Sequence, residues 1–250
     1  MTDNVLLVSI DGHVTASRAA YQPYVESEYQ DAYRGWKKQL DAWGLPEMFN
    51  AVPGIDPEVQ WDDDARWSAL ESQGVAAEVL FPNGMPLASF GFGTPPVPRD
   101  VEDAGRRAYN RWLADFCARS PERRAGIMVR SADPEQAAKD VFWAKEHGLR
   151  GAQLPPLDNS FYFDDKYDPF WRACEETGLV ATQHGGAGLP RNYPPGFASI
   201  MTIPIESSFH SGRCVWHMIF GGVFERFPGL QLVVTESSVD WIPGLIRYMD

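Results

Sequence analysis

The chain has 250 residues, 44% of them hydrophobic, with 34 acidic against 22 basic side chains and a formal charge of −12. That length is enough for one large core, and the negative surface repels phosphate backbones and anionic lipid, which argues against nucleic acid or a membrane as partner. Three cysteines, Cys117, Cys174 and Cys214, stand in no CxxC or Cys/His metal spacing, so neither a disulfide framework nor a zinc finger is indicated and a reducing cytoplasm fits.

The first element is the apolar run Val5 to Ile10, too short for a membrane span or a signal core and read as a buried strand. Five more short runs rich in Val, Ile and Leu follow: Val75 to Phe81, Ala125 to Val129, Leu149 to Leu154, Leu179 to Gln183 and Leu230 to Thr235. Runs without polar alternation suit strands covered on both faces, and their alternation with helical segments predicts parallel βα units of the α/β class.

Helices are expected over Asp63 to Ser72, Val101 to Arg119 and Glu206 to Phe224. Asp133-Pro134-Glu135 and Asp168-Pro169 place a capping carboxylate before a proline at the start of two more, closed by His147-Gly148 and Gly178. A further helix begins near Asp240. Two segments break the rhythm, the aromatic-rich stretch 14 to 60 and the Gly- and Pro-rich stretch 185 to 204. Each follows a strand's carboxyl end, where barrel enzymes carry their site loops. The expectation is a single domain over 1–250 with a long loop insertion at about 14–60, short of a closed eight-stranded barrel by two βα units.

Asp11 and His13 close the first run with one residue between them, so their side chains share a face. A carboxylate and an imidazole together suit zinc, manganese or iron; the same triplet also fits a turn-starting Asp beside a packed His. His184 ends the fifth run ahead of Gly185-Gly186-Ala187-Gly188, a small-residue loop that leaves space beside the imidazole. Glu236 ends the sixth run and could serve as a general base, as a further ligand, or as a helix-start carboxylate. His210 and His217 fall on one expected outer helix; His217 reads as packing, while His210, nearer the fifth loop, is a catalytic candidate. Trp36, Trp43, Trp61 and Trp67 gather around the first long segment, with Trp36 a candidate substrate wall. Arg18, Arg34, Arg130 and Arg191 are possible clamps for an anionic substrate, and Arg191, in the fifth loop, is the one taken forward.

With these residues in place, the chain resembles the second amidohydrolase family, which includes aminocarboxymuconate-semialdehyde decarboxylase and the γ-resorcylate decarboxylases. The similar segments are Val8 to Val14, Leu80-Phe81-Pro82-Asn83, Gly151 to Pro155, Gln183-His184-Gly185-Gly186, and the most specific, Ile219 to Pro228 continuing to Trp241-Ile242-Pro243. The resemblance implies a (β/α)8 TIM barrel with one divalent metal, held by a pair on strand one, a histidine on strand five and an aspartate on strand eight. Asp11 and His13 match the pair, Asp11 standing where many relatives have histidine, and His184 matches the strand-five ligand. The strand-eight aspartate has no counterpart in this sequence. Glu236 stands where the decarboxylases carry a histidine that assists proton transfer or activates water.

The expected function is a metal-dependent hydrolase or decarboxylase acting on a small oxygenated or aromatic carboxylic acid, cyclic amide or lactone. Zinc is the first expectation for the cation, with manganese or iron next. A small-molecule substrate and a homodimer or larger homo-oligomer complete the reading. The alternative is a catalytically inactive barrel serving as a binding or assembly subunit. A nucleotide-binding protein is excluded for want of a Gly-rich phosphate loop after any strand.

Overall fold

The computed structural model describes residues 6–42, 56–88, 97–157, 160–185, 193–194, 196–237 and 239–249. Among them six parallel strands alternate with helices along the chain, close to the six apolar runs of the sequence. The chain divides into two compact units, residues 1–129 with 146–150, and residues 130–145 with 151–250.

In the first unit, β1 (Leu7–Val14) leads through α1 (Gln30–Ala42) and α2 (Asp63–Ser72) to β2 (Val75–Pro82), then through α3 (Arg99–Ala118) to β3 (Arg124–Met128). The strands pair in parallel in chain order, with Gly12 opposite Leu80 and His13 opposite Phe81. The register slips between Ser9 and Gly12, at the residues leading into Asp11. Asp62 caps α2 by accepting from the Ala65 backbone N–H at 2.9 Å. α1 lies inside the stretch expected as a long loop; its helix buries Tyr33 and Leu40, seven residues apart on one face. β1 departs from the expected strand covered on both faces. It is the outer strand of its set and leaves Leu7 46%, Val8 47% and Ile10 64% exposed.

The second unit holds α4 (Pro134–Glu146), β4 (Gly151–Gln153), α5 (Asp168–Thr177), β5 (Val180–His184), α6 (Phe197–His210), α7 (Arg213–Phe220), α8 (Val223–Arg226), β6 (Leu232–Thr235) and α9 (Trp241–Met249). β4, β5 and β6 pair in parallel, with His184 opposite Thr235. The single helix expected over Glu206 to Phe224 is three helices. Breaks fall at Ser211-Gly212 and Gly221-Gly222, and the apolar run from Phe197 carries α6 straight through Pro204, at the cost of one backbone donor. Part of the expected Gly- and Pro-rich loop is therefore helical. Among the described residues no helix is long and apolar enough to cross a membrane. Cys117, Cys174 and Cys214 are each buried and free, and burial pushes the Cys117 and Cys214 thiols up to about 12.

Candidate metal centre

In the first unit Asp11 and His13 present ligand atoms within 4.8 Å of one another. Ligand bonds near ~2.1 Å put two donors of one ion about 3–4 Å apart, so this pair is within reach of a shared cation after a small side-chain rotation. Asp11 is exposed and His13 half-buried against Phe81, their rings 6.2 Å apart. The end of the strand that carries them is pinned from outside. The Val14 carbonyl accepts from the Asn83 backbone N–H at 2.9 Å and the Tyr109 hydroxyl at 3.1 Å, and the His13 carbonyl accepts from Arg66 at 3.3 Å. Burial pushes the Tyr109 hydroxyl well above its ordinary range, so it stays a donor.

In the second unit His184 and Glu236 stand side by side at the ends of β5 and β6. Nδ1 of His184 lies 3.2 Å from Oε2 of Glu236, with the imidazole 15% and the carboxylate 57% exposed. Two backbone features make this approach possible. Glu236 adopts a left-handed conformation (φ 49°), uncommon for a residue with a Cβ. Gly185 also has positive φ (51°), and a Cβ there would sit 2.5 Å from Glu236 Oε2. Glycine at 185 thus serves both the turn and the carboxylate beside it.

The other candidates separate. His210 is the last residue of α6 and half-buried. His217 lies on α7, a different helix, packed edge-on against Phe161 and Phe163 and tilted against Tyr162. Burial there holds its imidazole below the ordinary 6.5, with Arg213 adding to the effect. Trp36 is half-buried on α1 and stacks on Tyr33 at 5.9 Å. Trp67 donates to Ser120 at 3.2 Å under the Arg123 guanidinium, a packing role. Arg18 pairs with Asp41 at 2.9 Å, Arg34 with Asp31, and Arg130 donates to the Leu154 carbonyl at 2.7 Å. Arg191 and Trp43 lie outside the described residues.

Residues the sequence reading passed over surround β1. Glu78, 1% exposed, receives Arg66 bidentately at 2.7–3.0 Å and Arg124 at 3.2 Å. A signal was available: Glu78 is the one charged side chain in Val75-Ala76-Ala77-Glu78-Val79-Leu80-Phe81, and a buried carboxylate demands a cationic partner.

A model of the amidohydrolase family matches residues 10–249. The chain belongs to the amidohydrolase family. It is 25% identical, over 189 residues, to a 2-amino-3-carboxymuconate-6-semialdehyde decarboxylase of Dictyostelium discoideum, covering 71% of this chain and 48% of that protein. The amidohydrolase chain thus spans about half the length of this curated relative. Among solved structures it superposes with TM-score 0.63 at 18% identity on an amidohydrolase from Mycobacterium avium subsp. paratuberculosis, covering 98% of this chain and 76% of the other. A 5-carboxyvanillate decarboxylase from Novosphingobium aromaticivorans, complexed with manganese and 4-hydroxy-3-methoxy-5-nitrobenzoic acid, gives TM-score 0.63 at 19% identity, covering 99% of this chain and 70% of that one. The fold is accordingly the α/β barrel type of the amidohydrolases.

Proposed function

We propose that this amidohydrolase is a divalent-metal-dependent decarboxylase of a small aromatic or oxygenated carboxylic acid, with Asp11, His13 and His184 holding the cation. The observation that carries the reading is the approach of Glu236 to His184, with Nδ1 and Oε2 3.2 Å apart. A carboxylate beside one imidazole nitrogen fixes the tautomer and the ring's orientation, the arrangement that supports metal-bound histidines. One carboxylate and two imidazoles fit a borderline or hard divalent ion. Manganese replaces zinc as the first choice, because the solved 5-carboxyvanillate decarboxylase holds manganese.

Once bound, the cation supplies Lewis-acid polarisation of a substrate oxygen. The chain's residues do the rest. Asp11 and His13 bind from β1 and His184 from β5. Glu236 Oε2 orients His184 and, lying beside its Nδ1, is a place to hold a proton that a ring carbon needs when it loses carbon dioxide. His210 and, from the fifth loop, Arg191 are kept as auxiliary candidates, and Trp36 as a wall against which an aromatic substrate can pack.

Hydrolysis of a lactone or cyclic amide is the second reading, favoured by the 57% exposure of the Glu236 carboxylate, which water can reach and which can act as its base. The test is a panel of 5-carboxyvanillate, dihydroxybenzoates, lactones and cyclic amides, given to metal-stripped and Mn2+-loaded protein. Carbon dioxide release that requires Mn2+ supports decarboxylation; metal-dependent ring opening without gas selects hydrolysis. A chain that takes up no divalent ion is the inactive binding barrel instead.

A further inference from the structure

Arg66 is where the buried charges of the first unit meet the strand that carries Asp11 and His13. It is 6% exposed on α2, with Nε and one terminal nitrogen forked onto Glu78 at 2.7–3.0 Å. Its other terminal nitrogen donates to the Val59 carbonyl at 2.8 Å and to the His13 carbonyl at 3.3 Å. Glu78 is steadied in turn by Arg124, which reaches Asp63 at 2.6 Å and the Phe116 carbonyl at 3.0 Å. A guanidinium is planar and its donors are fixed in one plane, so clamping it on Glu78 sets where the remaining donor points. That donor points at the peptide of a candidate metal ligand.

Gly12 explains why the two candidate ligands are separated by a residue with no side chain. Its missing Cβ would lie 3.0 Å from the Val79 carbonyl, 3.3 Å from the Leu80 side chain and 3.3 Å from the Arg66 terminal nitrogen that is forked onto Glu78. A larger residue would push against the guanidinium or the neighbouring strand. Between Asp11 and His13, Gly12 therefore leaves room for the Val79 carbonyl, Leu80 and the Arg66 guanidinium.

We propose that Arg66, clamped by Glu78, is a positioning residue: it holds the His13 peptide so that His13 and Asp11 aim at one cation. This rests on the metal-binding reading above and concerns its geometry. Arg124 provides the comparison, since it is equally buried in the same cluster but spends its bonds on Glu78, Asp63 and Phe116. A merely structural cluster makes cuts at Arg66 and Arg124 equivalent; positioning does not.

The test is Mn2+ affinity of the metal-stripped chain by titration calorimetry, with the thermal midpoint followed in parallel. Arg66→Lys keeps a charge but cannot serve Glu78 bidentately and the His13 carbonyl together. It is expected to weaken Mn2+ binding by roughly 10- to 100-fold, the usual cost of losing a partner behind a metal ligand. Arg124→Lys is expected to lower the midpoint and leave Mn2+ affinity within about twofold. Should Arg66→Lys fail to fold, Arg66→Gln, which removes the donor to His13 but leaves Glu78 paired with Arg124, carries the same measurement. Unchanged affinity in the folded Arg66 variant, or equal weakening in both arginine variants, overturns the proposal alone. A wild-type chain that takes up no Mn2+ overturns the metal reading and this proposal with it.

Discussion

Asp11 and His13 sit on a strand whose end is held by side chains reaching in from α2 and α3, whereas His184 and Glu236 face one another because of backbone conformation at two adjacent turns. The first arrangement is made of buried ions and hydrogen bonds, the second of a glycine and a residue held in left-handed φ. Buried ion pairs are costly to break on one side and rigid while intact. A strained turn costs little to build and concentrates its cost in one or two residues. The two devices therefore answer differently to substitution.

Removal of a proposed ligand is the largest expected effect. His184→Ala should weaken Mn2+ binding by more than ~100-fold, beyond what loss of a supporting partner costs, and abolish metal-dependent turnover; titration calorimetry and metal analysis read it. Mn2+ affinity that survives His184→Ala removes β5 from the centre. Next comes Glu78→Leu, which leaves two buried guanidiniums without their shared carboxylate and should destabilise the chain by about 3–5 kcal/mol in urea unfolding. A loss under ~1 kcal/mol would show that the Arg66 and Arg124 charges are less desolvated than their burial implies.

The turn in the second unit is probed by two smaller changes of opposite sign. Gly185→Ala meets both an unfavourable φ and the Glu236 carboxylate at 2.5 Å, so a loss of roughly 1–3 kcal/mol is expected, together with displacement of Glu236. Glu236→Asn should stabilise the apo chain by about 0.5–1 kcal/mol, since asparagine tolerates left-handed φ better than glutamate, while lowering turnover. A variant that gains stability and keeps full turnover would remove Glu236 from the chemistry.

These contrasts also show what could be read before the structure. Strands were legible because Val, Ile and Leu cluster in short runs between proline- and glycine-marked ends, and α2 matches its expected span of Asp63 to Ser72. α6 was hidden by Pro204, which marks a break in sequence but is absorbed by the apolar helix around it. α1 was hidden by reading its aromatics as a loop cover, although Tyr33 and Leu40 lie on one helical face. Asp11, His13, His184 and Glu236 could be named from strand ends. The contact between His184 and Glu236 could not, because it depends on left-handed φ at residue 236, and nothing local in Thr235-Glu236-Ser237 requires that conformation. Arg66 went unnoticed for a similar reason: its role depends on Glu78 across a strand and on the space left at Gly12.

Acid separates the two units by the pH at which each weakens. In the first, partial burial alone would raise Glu26, but hydrogen bonds from Arg107 and Arg111 outweigh it and hold the carboxyl below its ordinary 4.5. A depressed acid contributes stability that is complete above 4.5 and lost as pH falls through the lower native value. In the second, burial against Phe161, Tyr162 and Phe163, reinforced by Arg213 and opposed by Asp164, holds His217 below 6.5. The unfolded chain then binds the proton first, so this contribution is complete above 6.5 and is lost as pH falls toward the native value. Urea midpoints should therefore decline in two steps, an early one below pH 6.5 removed by His217→Phe and a later one below pH 4.5 removed by Glu26→Gln. Amide hydrogen exchange assigns each step to its unit, the early one to amides of α7 and the later to those of α3. A single step that both substitutions shift together would mean that the two units do not weaken separately in acid.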